Sequence, residues 1–299
     1  MVVARRRREH LLKKVAVITH RRSEETRGAL LRVIDICRQR SIKIFLPDSE
    51  IEKYSLDPPG EGVTALASLK GSQPDICLAL GGDGTILRAF NHFPGMQVPV
   101  FGVNFGRVGF LSAVEPSGID SGINSVLAGE YETFELSLVE LDLRGEKFLA
   151  FNDVVVHKPD GGSIIRLGYS IAGVDLASMS CDGLVVATAA GSTAYNLATG
   201  GPLISLRLDA MVVTAIAPHS LCSRPLVTAP GDQVTIRNES ISAVASVYVD
   251  GRSCGDLAPG SSIDAAISPL KARLLQLPGA NFYQKLRDKF IRPARGSEG

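Results

Sequence analysis

The 299-residue sequence has few cysteines and no apolar run long enough to cross a membrane. Its five cysteines are scattered and contain no C-x-x-C pair, so neither a disulfide framework nor a zinc site is expected, and a reducing cytoplasm is the expected compartment. A formal net charge of +1 gives no reason to expect a nucleic-acid or membrane partner. The basic start, MVVARRRREHLLKK, lacks the apolar core of a signal peptide. We interpret residues 1–13 as a solvated arm or frayed helix, with targeting or nucleic-acid binding as the alternative.

What the sequence does contain is typical of a globular α/β or α+β protein, with 45% hydrophobic residues and 30 glycines. In its first part, buried strands are predicted at 14–19, 41–46, 75–80 and 98–104. Helical patterns follow the first and third of these strands. This alternation predicts a doubly wound, Rossmann-like half.

After about residue 112 the sequence pattern changes to many short β-rich runs separated by Gly, Asp, Asn and Ser turns. These runs predict a β-sandwich-like domain over 126–269. The α/β domain is predicted to comprise 14–125 and 270–299, because ANFYQKLRDKFI returns to helical periodicity. Phe282, Leu286 and Phe290 form a stripe that is expected to dock this terminal helix onto the body.

The segment DICLALGGDGTILRAF (75–90) places a carboxylate, Asp83, among three glycines at a predicted strand-to-helix turn. Glycine there permits positive φ and close approach of a ligand, and the helix N-terminus attracts phosphate. A Walker A loop is excluded because the lysine is absent, and a dinucleotide fingerprint is excluded because Leu87 stands where its third glycine belongs. A phosphate site with an acid is therefore predicted.

An acid beside bound phosphate is useful in phosphoryl transfer. Asp83 could deprotonate an attacking hydroxyl or help to hold Mg²⁺. The alternative is that Asp83 merely caps a helix that starts near Thr85. The complete strand–GGDGT–helix context favours the phosphate site.

A second glycine-rich loop, GVNFGRVGFL (102–111), follows the fourth predicted strand and is expected to pack against the first. Asn104 is a candidate ligand-binding amide. Arg107 is either a phosphate ligand or a solvated side chain in a turn between domains.

Two further stretches carry polar groups next to strands. In FNDVVVH (151–157), Asn152 and Asp153 could read an adenine edge and hold ribose hydroxyls, or could form an Asx turn. In DGLVVATAAGSTAYN (182–196), small side chains let a flat ligand approach the backbone, and the alternative is a plain strand–turn–helix. His219 and the Asp250-Gly251 hairpin signal are weaker candidates.

Together these stretches resemble the NAD kinase family. GGDGT, GVNFGRVGFLS, FNDVVVH, DGLVVATAAGSTAYNLATGGP and VDG (249–251) occur in that family's order and approximate spacing, and the resemblance covers roughly residues 14–290. GGDGT by itself is not specific, because diacylglycerol and sphingosine kinases carry a similar loop. The G-S-T-A-Y block with Asn152-Asp153 upstream selects the NAD kinases.

The resemblance implies an activity and a set of site residues. NAD would be phosphorylated at the 2′-hydroxyl of its adenosine ribose, with ATP or polyphosphate as donor, Mg²⁺ or another divalent cation arriving with the donor, and Asp83 as general base. No metal-ligand cluster is expected in the protein, and a homodimer or homotetramer is expected. The implied donor ligands are Gly82, Gly84, Thr85 and Arg88. The implied NAD ligands are Asn104, Asn152, Asp153, Asp182, Thr193, Ala194 and Tyr195.

One departure from the family concerns Ala189 and Ala190, where members commonly carry Pro and a small polar residue. Loss of a hydroxyl would weaken one contact by about 1 kcal/mol, so we expect activity with altered affinity. Two other functions stay open at this point: a lipid kinase, against which the polar Asn152-Asp153 pair argues, and a non-catalytic NAD(P)-binding regulator.

Overall fold

A computed structural model describes residues 12–57, 62–93, 97–105, 109–159, 164–220 and 223–291. The described chain divides into two compact units. Unit 1 is Met1–Glu135 with Ala272–Gly299, and unit 2 is Leu136–Lys271. Unit 1 is an α/β domain and unit 2 is built of β-sheets, which is the fold class predicted from the sequence. No described helix is both long and apolar enough to cross a membrane.

Unit 1 begins with a parallel sheet flanked by helices. Its elements in chain order are β1 (Lys14–Thr19), α1 (Ser23–Gln39), β2 (Lys43–Leu46), α2 (Asp48–Tyr54), β3 (Val63–Ala65), β4 (Ile76–Leu80), α3 (Asp83–His92), β5 (Val100–Val103) and α4 (Ile119–Leu127). The parallel strands lie in the order β3-β2-β1-β4-β5. The order therefore reverses between β1 and β4, and in such sheets ligands bind beyond the carboxyl ends of the strands at this point.

The remaining strands belong to unit 2, except that the start of β6 and the end of β17 lie in unit 1. They are β6 (Glu132–Leu143), β7 (Glu146–Ala150), β8 (Asp153–His157), β9 (Ile165–Ile171), β10 (Val174–Cys181), β11 (Gly183–Thr188), β12 (Met211–Ile216), β13 (Leu226–Thr228), β14 (Val234–Asn238), β15 (Ala245–Val249), β16 (Arg252–Leu257) and β17 (Ser262–Gln276), with a short helix, α5 (Tyr195–Ala198), after β11. One antiparallel sheet has the order β13-β12-β11-β8-β15-β16. The other pairs β10-β9-β14-β17, and β6 with β7 forms a hairpin.

The burial of the strands follows their sequence patterns. Every residue of β4 (ICLAL) is buried, as expected for a central parallel strand covered on both faces. In unit 2, β15 alternates buried and half-buried residues, as expected for a strand with one face on the core. That core lies between the two sheets and draws Val154 and Leu184 from one sheet and Ile236 from the other.

The terminal segment returns to unit 1. The last residues of β17 pair with β5 through Leu274 and Leu275, and the chain continues into α6 (Phe282–Leu286) and a π-helical turn, Arg287–Ile291. Two members of the predicted stripe, Phe282 and Phe290, contact the ring of Phe110, with centroid distances of 6.0 and 5.7 Å. The predicted docking of this segment is therefore observed, although the helix is shorter than expected.

The structure adds elements that the sequence analysis did not predict. Most are short or glycine-containing: α2 has 7 residues, β3 has 3, and α4 contains Gly122. Such segments carry too little periodicity to be recognised from sequence. In unit 2 the strands β10, β13, β16 and β17 are short or rich in polar and small residues, so their sequence pattern is weak.

Candidate active site

The GGDGT turn lies where the parallel sheet reverses its order. β4 ends at Leu80, Gly82 is the N-cap residue, and α3 starts at Asp83. The end of β1 lies alongside, because the amide of His20 donates to the carbonyl of Leu80 at 2.7 Å. The first N–H groups of a helix have no intrahelical acceptor, so this turn offers donors and a partial positive charge to an anion.

None of the glycines of this turn is required by its backbone conformation, and Gly81 is required for space. Gly81, Gly82 and Gly84 all have negative or extended φ, so the expected positive φ is wrong. A Cβ at Gly81 would lie 2.1 Å from Oγ1 of Thr85, which is buried. A Cβ at Gly82 or Gly84 would meet nothing within 4 Å, so the surface there is open. The expected close approach of a ligand is thus sterically permitted.

The carboxylate of Asp83 is held by the second glycine-rich loop. Its Oδ2 accepts from the amide of Phe110 at 2.8 Å and its Oδ1 from the amide of Leu111 at 3.1 Å. A Cβ at Gly109 would lie 2.2 Å from Oδ1. No side chain caps α3, so the alternative in which Asp83 is a helix cap is not observed. Asp83 is instead a partly buried acid whose orientation is set from outside its own helix.

The two loops pack against each other as predicted. A Cβ at Gly102 would lie 2.4 Å from Cδ1 of Ile86 on α3. Asn104 is 5% exposed, and its backbone N–H donates to the carbonyl of Val114 at 2.8 Å. Arg107 lies outside the described residues.

Arg88, predicted to bind the donor, lies within a charged cluster. Its guanidinium donates to Oε1 of Glu50 at 3.0 Å and to the carbonyl of Thr19 at 3.1 Å. Glu50 is 1% exposed and is also ion-paired with Lys53. Burial lowers the pKa of Lys53, while Glu50 opposes that change. These contacts indicate a structural function for Arg88, and its contact with phosphate stays a prediction.

In unit 2 the FND and GSTAY stretches form one structure. The hydroxyl of Thr188 donates to the carbonyl of Phe151 at 2.7 Å, and the amide of Thr188 donates to the carbonyl of Asn152 at 2.8 Å. A Cβ at Gly191 would lie 2.0 Å from the carbonyl oxygen of Asn152. Glycine is therefore required where the two backbones meet.

Asp250 is joined to the Asn152-Asp153 stretch by hydrogen bonds that the sequence analysis did not predict. The hairpin signal is confirmed, since Asp250 and Gly251 join β15 to β16 with φ of +49° and +72°. The carboxylate of Asp250 also accepts from three successive amides, those of Phe151 at 2.9 Å, Asn152 at 2.7 Å and Asp153 at 3.3 Å. The signal that could have found it is the VDG motif shared with the family.

Asp153 is 5% exposed and lies next to that carboxylate. Burial, with a contribution from the negative charge of Asp250, raises the pKa of Asp153 to about 7. Asn152 beside it is only half-buried. The pair therefore combines an amide that a ligand can reach with an acid that changes charge near neutral pH.

The GSTAY block forms a 3-10 turn, Gly191–Thr193, followed by α5. Thr193 and Ala194 are half-buried, and the side chain of Tyr195 is 39% exposed. Asn196, which the sequence analysis did not consider, is fully buried; it donates to the carbonyl of Pro202 at 3.1 Å and accepts from the hydroxyl of Thr214 at 2.7 Å. These bonds hold the block in place and leave Tyr195 available to a ligand.

Asp182 does not join the other predicted NAD ligands of unit 2. It precedes β11, and its carboxylate pairs with Nζ of Lys158 at 2.7 Å, which lowers its pKa. β11 pairs with β8 so that Gly183 faces His157 and Ala187 faces Asp153. Asp182 therefore lies about 17 Å along the ladder from the Asn152-Asp153 end. The NAD contact of Asp182 stays a prediction.

Comparisons with known proteins identify the family of the chain. Residues 7–131 match the family described as the ATP-NAD kinase N-terminal domain, and residues 151–277 match the ATP-NAD kinase C-terminal domain. The NAD kinase of Ralstonia nicotianae is 36% identical over 244 residues, covering 80% of this chain and 78% of that protein. The NAD kinase of Alcanivorax borkumensis is 34% identical over 283 residues, covering 93% of each.

Two solved structures share the fold. Yeast NADH kinase complexed with NADH has a TM-score of 0.85 at 22% identity, covering 97% of this chain and 90% of that chain. An NAD kinase from Archaeoglobus fulgidus in complex with ATP has a TM-score of 0.70 at 24% identity, covering 93% of this chain and 97% of that chain. With both domain matches and relatives above 30% identity over most of its length, the chain belongs to the NAD kinase family of enzymes.

Proposed function

We propose that the protein phosphorylates NAD at the 2′-hydroxyl of its adenosine ribose to give NADP, with ATP or polyphosphate as the donor and Asp83 as the general base. In this reaction Asp83 accepts the hydroxyl proton, and the ribose oxygen attacks the terminal phosphorus of the donor. The bond from that phosphorus to its bridging oxygen breaks, and ADP or a shortened polyphosphate leaves. Phosphoryl transfer of this kind depends mainly on positioning and electrostatics.

The observation that carries the proposal is the anchoring of Asp83. Two backbone amides, from Phe110 and Leu111, hold its carboxylate at the start of a helix beside an open glycine surface. A base must be held within hydrogen-bonding reach of the proton it takes, and this arrangement fixes the orientation of the carboxylate. A turn built only to bind phosphate would have no use for a fixed negative charge there.

The donor phosphates are proposed to bind at the first turn of α3. Gly82 and Gly84 leave the backbone open, and the orphan amides of this turn are donors for phosphate oxygens. The side chain of Thr85 packs closely against Gly81, and Thr85 is included among the residues that bind the phosphate donor. Arg88 is kept as a donor ligand with its guanidinium already oriented by Glu50.

NAD is proposed to contact the predicted residues Asn104, Asn152, Asp153, Asp182, Thr193, Ala194 and Tyr195. Asn152 and Asp153 are assigned to the adenosine half, because an amide and a carboxyl group suit the base edge and the ribose hydroxyls. The exposed ring of Tyr195 is suited to stacking.

Mg²⁺ is proposed to enter with the phosphate donor. Among the described residues no three His, Cys, Asp or Glu side chains gather as a metal site. Mg²⁺ commonly binds through one or two carboxylates together with substrate phosphates. Asp83 is the carboxylate at this turn. When Mg²⁺ is bound, the ion offsets the negative charge of the donor phosphates.

The assembly and compartment are part of the same proposal. A homodimer or homotetramer is expected from the resemblance, and light scattering on the eluted protein measures it. The cytoplasm is the proposed compartment, in keeping with the cysteine pattern.

The experiment that tests the function is NADP formation from NAD, Mg²⁺ and ATP, repeated with polyphosphate. We expect turnover by the parent and a loss of several orders of magnitude in kcat for Asp83→Asn, with NAD binding retained. Asp35→Asn, which alters an exposed acid on α1, is the matched control and should match the parent. If neither donor yields NADP although NAD binds, the protein is a binding regulator and the kinase proposal is wrong.

A further inference from the structure

The terminal segment places a lysine on the loop that holds Asp83. Nζ of Lys285 on α6 donates to the carbonyl of Phe110 at 3.2 Å and also to the carbonyl of Ser112. It further contacts Oε1 of Gln276 at 3.4 Å. The carbonyls of Phe110 and Ser112 are 175 and 173 residues from Lys285 in the sequence. The contact therefore links the terminal segment of unit 1 to the second glycine-rich loop.

Gln276 completes this set of contacts. Its Nε2 donates to the carbonyl of Leu111 at 2.6 Å. The three successive carbonyls of Phe110, Leu111 and Ser112 are thus held from the terminal side, while the amides of Phe110 and Leu111 bind Asp83. The backbone of residues 110–112 is therefore held by hydrogen bonds through its carbonyls on one side and through its amides on the other.

We propose that Lys285 is a positioning residue for phosphoryl transfer: by holding the carbonyls of Phe110 and Ser112 it keeps the amides of Phe110 and Leu111 where they orient Asp83. This inference rests on the proposed function of Asp83 as the base. Lys285 acts through the loop, because its hydrogen bonds are to the loop carbonyls and to Gln276.

The electrostatics of the lysine agree with this geometry. Burial lowers the pKa of Lys285 to about 8, and the negative charge of Asp83 opposes that change. From α3, Asp83 is the charged group that bears on Lys285; β17 contributes the neutral amide of Gln276, and the terminal segment itself carries Arg287, Asp288 and Lys289. Below about pH 8 the ammonium form, which donates to the carbonyls, is the major form of Lys285.

A matched control is available in the same segment. Nζ of Lys289 lies 4.1 Å from the centroid of the Phe110 ring, so it contacts the side chain of this loop residue. Lys289→Met removes a cation from the segment without removing the hydrogen bonds to the carbonyls. Lys285→Met removes those hydrogen bonds, and Lys285→Arg keeps a charged donor.

The test measures kcat and KM of the four proteins and, in parallel, hydrogen exchange of residues 109–112. We expect Lys285→Met to lower kcat by about 10- to 100-fold with KM for NAD within about twofold, since a displaced base slows the chemical step and leaves ground-state binding intact. Exchange at the loop should accelerate in the same variant. Lys285→Arg should recover most of the activity, and Lys289→Met should match the parent in both measurements.

The pH profile separates positioning from a merely structural contact. Parent kcat should fall as the pH rises through about 8, and this alkaline fall should be absent from Lys285→Arg, whose side chain stays charged. Equal losses in Lys285→Met and Lys289→Met would overturn the inference, because they would reflect docking of the segment alone. If the parent itself forms no NADP, the proposed function fails, and unchanged exchange in Lys285→Met would separately refute the positioning contact.

Discussion

Adding one methyl group at Gly109 tests how closely the position of Asp83 governs the reaction. In Gly109→Ala the new Cβ would lie 2.2 Å from Oδ1, 2.8 Å from Cγ and 3.0 Å from Oδ2 of Asp83. Carbon and oxygen atoms in contact need about 3.5 Å, so the carboxylate or the loop must move by roughly 1 Å. The φ of Gly109 is not in the left-handed region, so alanine adds no backbone strain and the effect is steric.

A displacement of about 1 Å at a catalytic group can cost about 10²-fold in rate, equivalent to roughly 2.7 kcal/mol. We therefore expect Gly109→Ala to reduce kcat for NADP formation by about 10²-fold while KM for NAD changes little. Steady-state kinetics measure this, and circular dichroism with thermal unfolding verifies that the variant is folded.

Gly28→Ala is the matched control for this substitution. Gly28 lies on α1 with nothing within 4 Å of an added Cβ, so alanine should raise stability by up to about 1 kcal/mol and leave kcat unchanged. A folded Gly109→Ala enzyme with parental kcat would refute the reasoning, because the orientation of Asp83 by the second loop would then be irrelevant to catalysis.

Three further outcomes concern stability. Asp250→Ala should lower the free energy of unfolding by about 3 kcal/mol, because three amides lose their acceptor. Asp250→Asn should lower it by about 1 kcal/mol, because asparagine tolerates positive φ and keeps an acceptor oxygen. Equal losses of the two variants in urea denaturation would contradict this. Glu50→Gln should lower the free energy of unfolding by about 3 kcal/mol, because Lys53 and Arg88 lose their buried counter-ion. An unchanged urea-denaturation midpoint would show that this charged cluster does not stabilise the fold. The pKa of Asp153 is raised from 3.8 to about 7, so between these values the folded chain holds a proton that the unfolded chain releases, and stability falls as the pH rises. Asp153→Asn should remove this loss, so its Tm should exceed that of the parent by more at pH 8 than at pH 5; a constant difference would argue against the raised pKa.

Much of unit 1 could be predicted because its signals are local. A buried parallel strand reads as a continuous apolar run, and glycines beside a helix start mark a turn, so β4 and the start of α3 followed from one short segment. The reason given for the glycines was partly wrong. Steric contact between Gly81 and Thr85 depends on how the turn folds back on the helix, and sequence patterns do not report such distances.

The unit 2 site was less predictable because its residues meet through strand pairing. Asn152 and Asp250 are 98 residues apart, and their hydrogen bond depends on β15 lying next to β8 in one register. The same pairing logic separates Asp182 from Asp153, although both flank short strands in the sequence. Shifting the register of a strand by one residue would reverse every side chain, so neither relation can be read from spacing.

By itself the sequence determined which chemical groups are present and on which kind of element: an acid in a glycine turn, an Asn-Asp pair before a strand, and small residues before a helix. Local propensity and hydrophobic periodicity depend on a few neighbouring residues and can therefore be recognised from the sequence. Only the tertiary structure decided what holds each group. Asp83 is oriented by amides 27 and 28 residues away, and carbonyls of the same loop accept hydrogen bonds from Lys285 and Gln276 near the far end of the chain. Such contacts arise when packing brings distant backbone groups together, because burial of a polar group is costly unless it finds a partner.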